Sequence, residues 1–435
     1  MQQPGKSISR RTFVQTAAFS TAALCGPVFL TNSVNGANDR LRLAVLGVNG
    51  RGQDHIDGFM KLDNVEISTL CDPDANVLAE RAKQFEGRYN KKVKPVQDLR
   101  KVYEDKEIDA VSIATPNHWH SLAAIWACQA GKDVYVEKPG SHNIFEGRKM
   151  VEAAEKYNRI VQHGVQLRSS PAIQEAVRLL RTGVIGKVYM ARGLVFRWRG
   201  DIGSKPNEAV PDYLNYDLWL GPAPYRPFSR NHVHYNWHWH WDFGNGDVGN
   251  QGVHQTDMCL WGLGVGLPDM ITAMGGKFLW NDSKETPEVL SSTYLYSKEK
   301  KIIEFEVRPW CTNAEDGTMV GNVFYGTEGY MVIKGYRKYE TYLGEKKEPG
   351  PKGEKDGDHF ANFVQAVRSR DKAQLNGPVE TGHLASALAH LGNISFRLGR
   401  RLEFDPATEQ FKNDSEANAM LTRNYRESFV VPEKV

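Results

Sequence analysis

The sequence predicts an α/β protein in two halves: an N-terminal parallel, doubly wound sheet, then an α+β half built on a large, mostly antiparallel sheet. Three observations predict it. The apolar run Leu41–Leu46 has strand length, ends in a glycine-rich turn and opens into a helical pattern. Strand and helix patterns then alternate to about residue 166, as a parallel sheet requires, because its neighbours need crossover connections. Beyond a helix at 172–181 and a Gly183-Val184-Ile185-Gly186 turn, the chain becomes strand-rich, with runs at 302–307, 321–325 and 330–334.

The first element carries the most chemistry. Gly47-Val48-Asn49-Gly50-Arg51-Gly52 joins the strand to the helix. Backbone N–H groups at such a turn point toward an anion, and the helix dipole favours its charge. This is the Rossmann arrangement for a dinucleotide pyrophosphate. The usual fingerprint has Gly at the places held here by Gly47, Asn49 and Gly52, with an extra Gly50. Asn49 departs modestly, since asparagine tolerates a left-handed turn. A second strand, Val65–Cys71, ends at Asp72. A carboxylate at that distance past the turn accepts hydrogen bonds from ribose hydroxyls and repels a 2′-phosphate, so NAD is expected over NADP. Asp72 also suits a simpler part, capping the turn Asp72-Pro73-Asp74.

A third strand at 110–114 runs into Thr115-Pro116-Asn117-His118-Trp119-His120, with a helix expected at 122–129. Val134-Tyr135-Val136 then leads to Glu137-Lys138-Pro139, and 159–166 reads as the last strand of this half. In an open parallel sheet the ligand lies at the carboxyl ends of the strands. Cofactor contacts are therefore expected from Gly47, Asn49, Gly50, Arg51, Gly52, Asp72, Thr115, Pro116, Asn117, His120, Glu137 and Lys138.

With 435 residues the chain exceeds one ordinary core, so more than one domain is expected. Hydrophobic residues at 40% and charged residues at 25% fit a soluble globular protein. The net charge of +3, from 55 basic and 52 acidic side chains without a basic stripe, gives no case for a nucleic-acid partner. The cysteines, Cys25, Cys71, Cys128, Cys259 and Cys311, have no CxxC spacing, which excludes a zinc knuckle or redox pair of that kind. Cys25 falls in the leader, and buried free thiols are expected for the other four.

On the glycine turn, Ala114-Thr115-Pro116-Asn117, Glu137-Lys138-Pro139 and the later Gly252-Val253-His254 with Asp257, the chain resembles the glucose–fructose oxidoreductase, inositol dehydrogenase and rhizopine-catabolism group (Gfo/Idh/MocA). The resemblance runs from about residue 41 to 400. It implies oxidoreduction of a small carbohydrate, and an open sheet face used to form a homodimer or homotetramer. In the resembling dehydrogenases an Asp commonly stands where this chain has Asn250, so one proton-accepting carboxylate is missing.

Oxidising a secondary alcohol needs a nicotinamide face near the carbon and a base for the hydroxyl proton. Lys138 is the first candidate, since a partly desolvated lysine beside a nicotinamide cation has a lowered pKa. His254 is the second. Asn250 and His254 share one side if the turn between them is helical, and Asp257 on that side either orients the imidazole or packs.

Substrate contacts are expected from Gln166, Arg168, Trp237, His238, Trp239, Asn250, His254, Asp257 and His383. If Asn236-Trp237-His238-Trp239-His240-Trp241-Asp242 is extended, Trp237, Trp239 and Trp241 face one way and His238 and His240 the other. Such rings stack on sugars; an aromatic core strand fits the pattern equally well. His232, His234, His238, His240 and His254 raise a zinc reading, but no Cys or Glu is placed to complete a set, so no metal is expected. Asp217-Leu218-Trp219-Leu220-Gly221-Pro222 is expected to pack beside the pocket.

Residues 1–37 read as a leader. Ser9-Arg10-Arg11-Thr12-Phe13 is a twin-arginine pattern, and the apolar run at 17–30 that follows is too short for a comfortable membrane span. Small residues at Gly36-Ala37 suit a signal peptidase. The expectation is a folded, periplasmic protein that loads its dinucleotide before export, with no membrane span after cleavage. The domains expected are 38–168 for NAD, 169–411 for substrate and assembly, and 412–435 as a polar tail over the surface. Residues 344–357 are expected to be a charged surface loop, and helices are expected near 360–369 and 385–398. The function expected is NAD-dependent hydride transfer on a sugar, sugar derivative or glycoside. The alternatives are a redox-neutral NAD-dependent glycosidase and a non-catalytic sugar- or dinucleotide-binding protein.

Overall fold

The computed structural model describes residues 40–310 and 313–435. The leader, Cys25 and Cys311 lie outside the described residues. Among the described residues, six strands form the first sheet: β1 (Leu41–Leu46), β2 (Val65–Cys71), β3 (Lys94–Val96), β4 (Ala110–Ile113), β5 (Asp133–Val136) and β6 (Val161–His163). Their order is β3-β2-β1-β4-β5-β6, and every neighbour is parallel. The direction of winding reverses between β1 and β4, which opens a crevice at the carboxyl ends of those strands.

Each face of this sheet has its own apolar layer. The helices Asn117–Gln129 and Ile144–Lys156 cover one face. The helix Gly52–Phe59 covers the other, together with the distant helix His359–Ser369, whose Phe363, Val364, Ala366 and Val367 join the same cluster. The segment past residue 412 is more than a polar wrap, because Phe429, Val431 and Val435 are buried in the first layer. The helix expected at 122–129 begins earlier, at Asn117. Its residues are buried on nearly all sides, which erases the periodicity that would mark its start. The strand expected at 159–166 shrinks to β6, and Gln166–Ser169 is a short 3₁₀ turn.

The second sheet has ten strands among the described residues: β7 (Val188–Phe196), β8 (Met270–Gly276), β9 (Val289–Tyr296), β10 (Lys301–Arg308), β11 (Val320–Gly326), β12 (Gly329–Lys334), β13 (Lys338–Leu343), β14 (Glu348–Glu354), β15 (Leu402–Asp405) and β16 (Gln410–Phe411). Their order is β14-β13-β12-β11-β7-β10-β9-β8-β15-β16. β7 and β10 pair in parallel; the other neighbours run antiparallel. The loop expected at 344–357 therefore contains β14. Glycine and proline hid it, yet an edge strand tolerates Pro because one row of its N–H groups has no partner.

Side chains alternate across the strands. Val195, Phe305, Phe324 and Ile333 meet the helices Pro171–Arg181, Gly252–Leu263 and Val379–Leu398 in the main core. The intervening Leu194, Phe196, Val323 and Val332 form a separate patch on the opposite face, rimmed by Tyr325, Tyr330 and Tyr342. Cys71, Cys128 and Cys259 are buried free thiols. Among the described residues no helix is long and apolar enough to cross a membrane.

Candidate active site

The glycine turn sits at the switch point, and its glycines have separable roles. Gly47 has φ +81°, and a Cβ there would lie 2.7 Å from the Thr115 nitrogen. A Cβ on Gly52 would lie 2.0 Å from the Gly47 carbonyl oxygen, so this glycine lets the helix Gly52–Phe59 start against the turn. A Cβ on Gly50 would meet nothing within 4 Å. That opening faces a cavity of about 320 Å³, which Gly50 lines together with Asn49 and Arg51. Asn49 is not left-handed, contrary to the reason expected for tolerating it there. Asn49 is exposed, and its carbonyl accepts from Arg81 Nη2 at 2.9 Å.

A paired substitution separates packing from ligand approach. Gly52→Ala is expected to lower the melting temperature of the dinucleotide-free protein, because overpacking of this kind costs about 1–3 kcal/mol. Gly50→Ala is expected to leave that temperature in place and to weaken dinucleotide binding by about tenfold, or about 1.4 kcal/mol. Calorimetry of both variants checks it; equal losses of stability would refute the division.

Asp72 lines the same cavity. One carboxylate oxygen accepts from the Val48 N–H at 3.0 Å and the other from the Asp74 N–H at 3.1 Å. The capping part and a place on the cavity wall thus coexist, since each oxygen keeps a free lone pair. Burial pushes the Asp72 carboxyl up, against the pull of those two N–H groups. Asp74 caps the helix Ala75–Tyr89 and receives His234 Nε2 at 2.9 Å.

The carboxyl ends of β4 and β5 bring Thr115, Pro116, Asn117, His120, Glu137 and Lys138 onto the same cavity. His120 joins the two loops, with its ring nitrogens 2.7 Å from the Thr115 carbonyl oxygen and 2.5 Å from that of Pro139. Glu137 is a buried hub. It accepts from Arg51 Nε at 2.8 Å, Gln166 Nε2 at 3.0 Å and the Lys138 N–H at 3.1 Å, with His55 Nε2 at 3.2 Å. Burial alone would raise this carboxyl, but Arg51, His55 and Lys138 hold it well below the usual carboxylate range. Burial lowers His55 toward its neutral form, so Nε2–H donates to Glu137 and Nδ1 accepts from the Ser112 hydroxyl at 2.7 Å.

Lys138 Nζ donates to the Asn250 carbonyl. Burial pushes its pKa down to about 8, with help from Arg51, Arg199 and Arg197 and against Glu137. Asn250 ends the helix Gly246–Asn250, and a new helix, Gly252–Leu263, begins after Gln251. One continuous turn from Asn250 to His254 does not form. Asn250 lines the main cavity, while His254 is buried against Tyr336, with ring centroids 5.0 Å apart. Among the described residues no group bonds His254 Nδ1. Burial first, then the Lys138 charge, keeps this imidazole neutral.

The aromatic run is a 3₁₀ turn at Asn236–Trp239, not an extended strand. Neighbouring residues rather than alternate ones therefore share the cavity. Trp237 and His238 stack at 3.6 Å and both line it, beside His234 and Tyr235, which the sequence reasoning had not placed there. Trp239 instead packs under Lys284 and Arg199, and Trp241 under Arg397. Trp219 of the expected packing segment also reaches the wall.

Four expected substrate contacts, Arg168, Asp257, His383 and Gln166, are brought to other tasks. Arg168 Nε lies 2.9 and 2.8 Å from the two Asp257 oxygens, and the guanidinium covers Trp261. The two charges neutralise each other within the core and do not face a ligand. His383 is buried against Glu409 at 2.9 Å, in a cluster with Arg148. Gln166 supports Glu137 from behind and does not line the cavity. Among the described residues no group of His, Cys, Asp or Glu could hold a metal ion.

A cradle open at Gly50, a carboxylate beyond it and a desolvated amine facing an aromatic wall are features of an NAD-binding Rossmann protein with reactive groups at the nicotinamide end. Comparison with known proteins agrees. Residues 41–165 match the model of an oxidoreductase family with an NAD-binding Rossmann fold, and 178–267 with 325–431 match the same family's C-terminal alpha/beta domain. The chain belongs to the Gfo/Idh/MocA oxidoreductase family.

Among curated relatives, it is 29% identical over 170 residues to a glycosyl hydrolase family 109 protein of Shewanella pealeana, covering 34% of this chain and 37% of that one. It is 32% identical over 136 residues to levoglucosan dehydrogenase of Pseudarthrobacter phenanthrenivorans, covering 31% and 34%. The chain thus spans about a third of the length of these relatives. In fold it is similar to aldose–aldose oxidoreductase of Caulobacter crescentus, solved with glycerol: TM-score 0.65, 16% identity, 84% of this chain and 100% of that one.

Proposed function

We propose that this protein is an NAD-dependent oxidoreductase that moves hydride between a tightly held nicotinamide and a hydroxyl-bearing carbon of a sugar, sugar derivative or glycoside. Lys138 carries the reading: a half-buried amine whose partial desolvation pushes it down to about 8, on the wall of the cleft that runs from the glycine turn to Trp237 and His238. When bound, NAD supplies the ring that accepts or returns hydride. The turn 47–52 would hold its pyrophosphate, Asp72 the adenosine ribose, and Thr115 to Asn117 the middle of the molecule. Trp237 and His238 offer a flat face to a sugar ring. The neutral Lys138 amine takes the hydroxyl proton. Glu137, ionised and fully engaged, orients its neighbours and takes no proton. His254 supplies a neutral imidazole as the second proton-transfer group.

The twin-arginine leader supports export in the folded state to the periplasm with NAD already bound. Little free cofactor exchanges there, so the hydride has to be returned within the same site. Either a second substrate takes it back, or the whole reaction is redox-neutral. The Shewanella relative favours the latter as a second reading, in which transient oxidation acidifies a neighbouring C–H and a leaving group is eliminated. Purified protein incubated with sugars and glycosides tests both through nicotinamide fluorescence. Persistent reduced cofactor is expected for oxidation, and released sugar without net reduction for hydrolysis. No change across a broad panel would refute both and leave binding alone.

Two exposed tryptophans on the outer face of the second sheet support a homodimer or homotetramer. Just past the buried Leu194 and Phe196, Trp198 (56% exposed) meets Trp310 (46% exposed) with the rings tilted at 52°. Trp198→Glu is expected to yield a folded monomer in sedimentation; an unchanged mass would exclude this face.

A further inference from the structure

Among the described residues, a second cation without an acidic partner lies near Lys138, on the exposed surface beside the cavity. Past Phe196 the chain continues alongside β10: the Arg197 N–H donates to the Arg308 carbonyl and the Arg199 N–H to the Pro309 carbonyl. In extended backbone alternate side chains share a face, so Arg197 and Arg199 leave together. Both reach the segment around residues 247–251. Arg199 finds a carboxylate there, Asp247, at 2.8 Å. Arg197 finds only an amide, donating from Nη1 to Gln251 Oε1 at 2.9 Å.

Gln251 ties this arginine to the reactive groups. Its Nε2 donates to the Tyr336 hydroxyl at 2.7 Å, and the Tyr336 ring meets His254 edge-on. The preceding residue, Asn250, provides the carbonyl that receives Lys138 Nζ. Arg197, Tyr336, His254 and Lys138 therefore converge around Gln251. Arg197 and Tyr336 are exposed, so a ligand can reach them from solvent.

The charges here do not balance. The two carboxylates at this end, Glu137 and Asp247, are each held by an arginine, Arg51 and Arg199. Among the described residues, neither Lys138 nor Arg197 has an acidic partner within ion-pair distance. Arginine stays charged at any working pH, and like charges brought close beside the cleft repel. The same repulsion is felt at Lys138, where Arg197 is among the groups that lower its pKa. An anionic group on the ligand relieves it.

We propose that Arg197 selects a sugar acid, a carbohydrate whose carboxylate is gripped by the Arg197 guanidinium while a ring hydroxyl faces Lys138. Nη1 is taken by Gln251, which leaves one planar edge of the fork, and that edge fits a carboxylate in bidentate fashion. The proposal rests on the oxidoreductase reading above and adds the substrate's charge to it.

The test uses the full chain with its cofactor bound, and glucose, galactose, glucuronate, galacturonate and glucose 6-phosphate as probes. Binding is read by calorimetry and turnover by cofactor reduction. A sugar acid is expected to exceed its neutral counterpart in kcat/KM by about 50-fold, the size of effect a charge-assisted contact supports. In Arg197→Gln that ratio is expected to fall to about one, and Arg197→Lys to restore part of it. Raising the salt concentration should weaken binding of the acid more than that of the neutral sugar.

Equal use of acid and neutral sugars by the wild type overturns the proposal and leaves the oxidoreductase reading standing. So does a preference for the phosphate, or a ratio unchanged by Arg197→Gln. If the sugars bind with the acid preference but none reduces the cofactor, the recognition proposal stands and the oxidoreductase reading fails. If none of the sugars binds or reacts, both fall.

Discussion

Lys138→Met is expected to lower kcat for sugar oxidation about 1,000-fold, within the range that positioned acid–base groups supply. The cofactor should still bind, because the glycine turn and Asp72 are untouched. Methionine keeps the length of the stem and removes the amine that donates to the Asn250 carbonyl. The pH dependence gives a second check. Lys138 falls from 10.5 to about 8 in the fold, so the neutral base accumulates only above about pH 8. The kcat/KM for oxidation should rise tenfold per pH unit below that value, level off above it, and lose this limb in the variant.

Stability follows the same group with a definite sign. Below about pH 8 both folded and unfolded chains hold the proton, and the cost of burying the charge is fully present. Between about 8 and 10.5 the unfolded chain holds the proton that the folded one has released, so stability rises with pH through that window. Lys138→Met should flatten this contribution. Turnover within tenfold of the wild type would remove Lys138 from the chemistry.

Arg168→Met is expected to cost about 3–5 kcal/mol of unfolding free energy, the penalty for stranding one partner of a buried ion pair. The Arg168 side chain is 9% exposed and that of Asp257 is 1% exposed, so water cannot replace the lost partner. Burial already pushes the Asp257 carboxyl up, and Arg168 is what opposes the shift. Adding Asp257→Leu should recover most of the loss, because removing both charges leaves nothing stranded. Urea titrations of the single and double variants measure this. A loss confined to sugar KM, with stability intact, would return Arg168 to the substrate pocket.

These two residues mark the reach of sequence reasoning. Lys138 was legible because its signal is local: an apolar strand, then Glu-Lys-Pro, at a place where parallel sheets hold ligands. Arg168 and Asp257 are 89 positions apart, and each alone looked like a polar group near a pocket. Only their mutual distance reveals that they satisfy one another. His383 was misplaced for the same reason, since its partner Glu409 is remote in sequence. The tryptophan run failed differently. Its two-residue alternation assumed an extended backbone, and a 3₁₀ turn put Trp237 and His238 on the same wall while Trp239 turned inward. Arg197 and Tyr336 carried no motif at all; a charged residue just past a strand end, in the register of a second arginine, was the one available sign.

What the sequence by itself determined is the framework that neighbouring residues encode. β1 and β2 fall where hydrophobic pattern and glycine turn place them, and Asp72 stands at the end of β2. The Rossmann half and a strand-rich second half follow from local periodicity, because backbone geometry responds to the residues next in line. What only the tertiary structure decided is which polar groups remain free. Asp257, Glu137 and Asp247 are consumed by Arg168, Arg51 and Arg199, while among the described residues Lys138 and Arg197 have no acidic partner within ion-pair distance. Charge neutralisation acts through space over a few ångströms and takes no account of chain order. The chemistry of this cleft is therefore set by pairings that a linear reading cannot see.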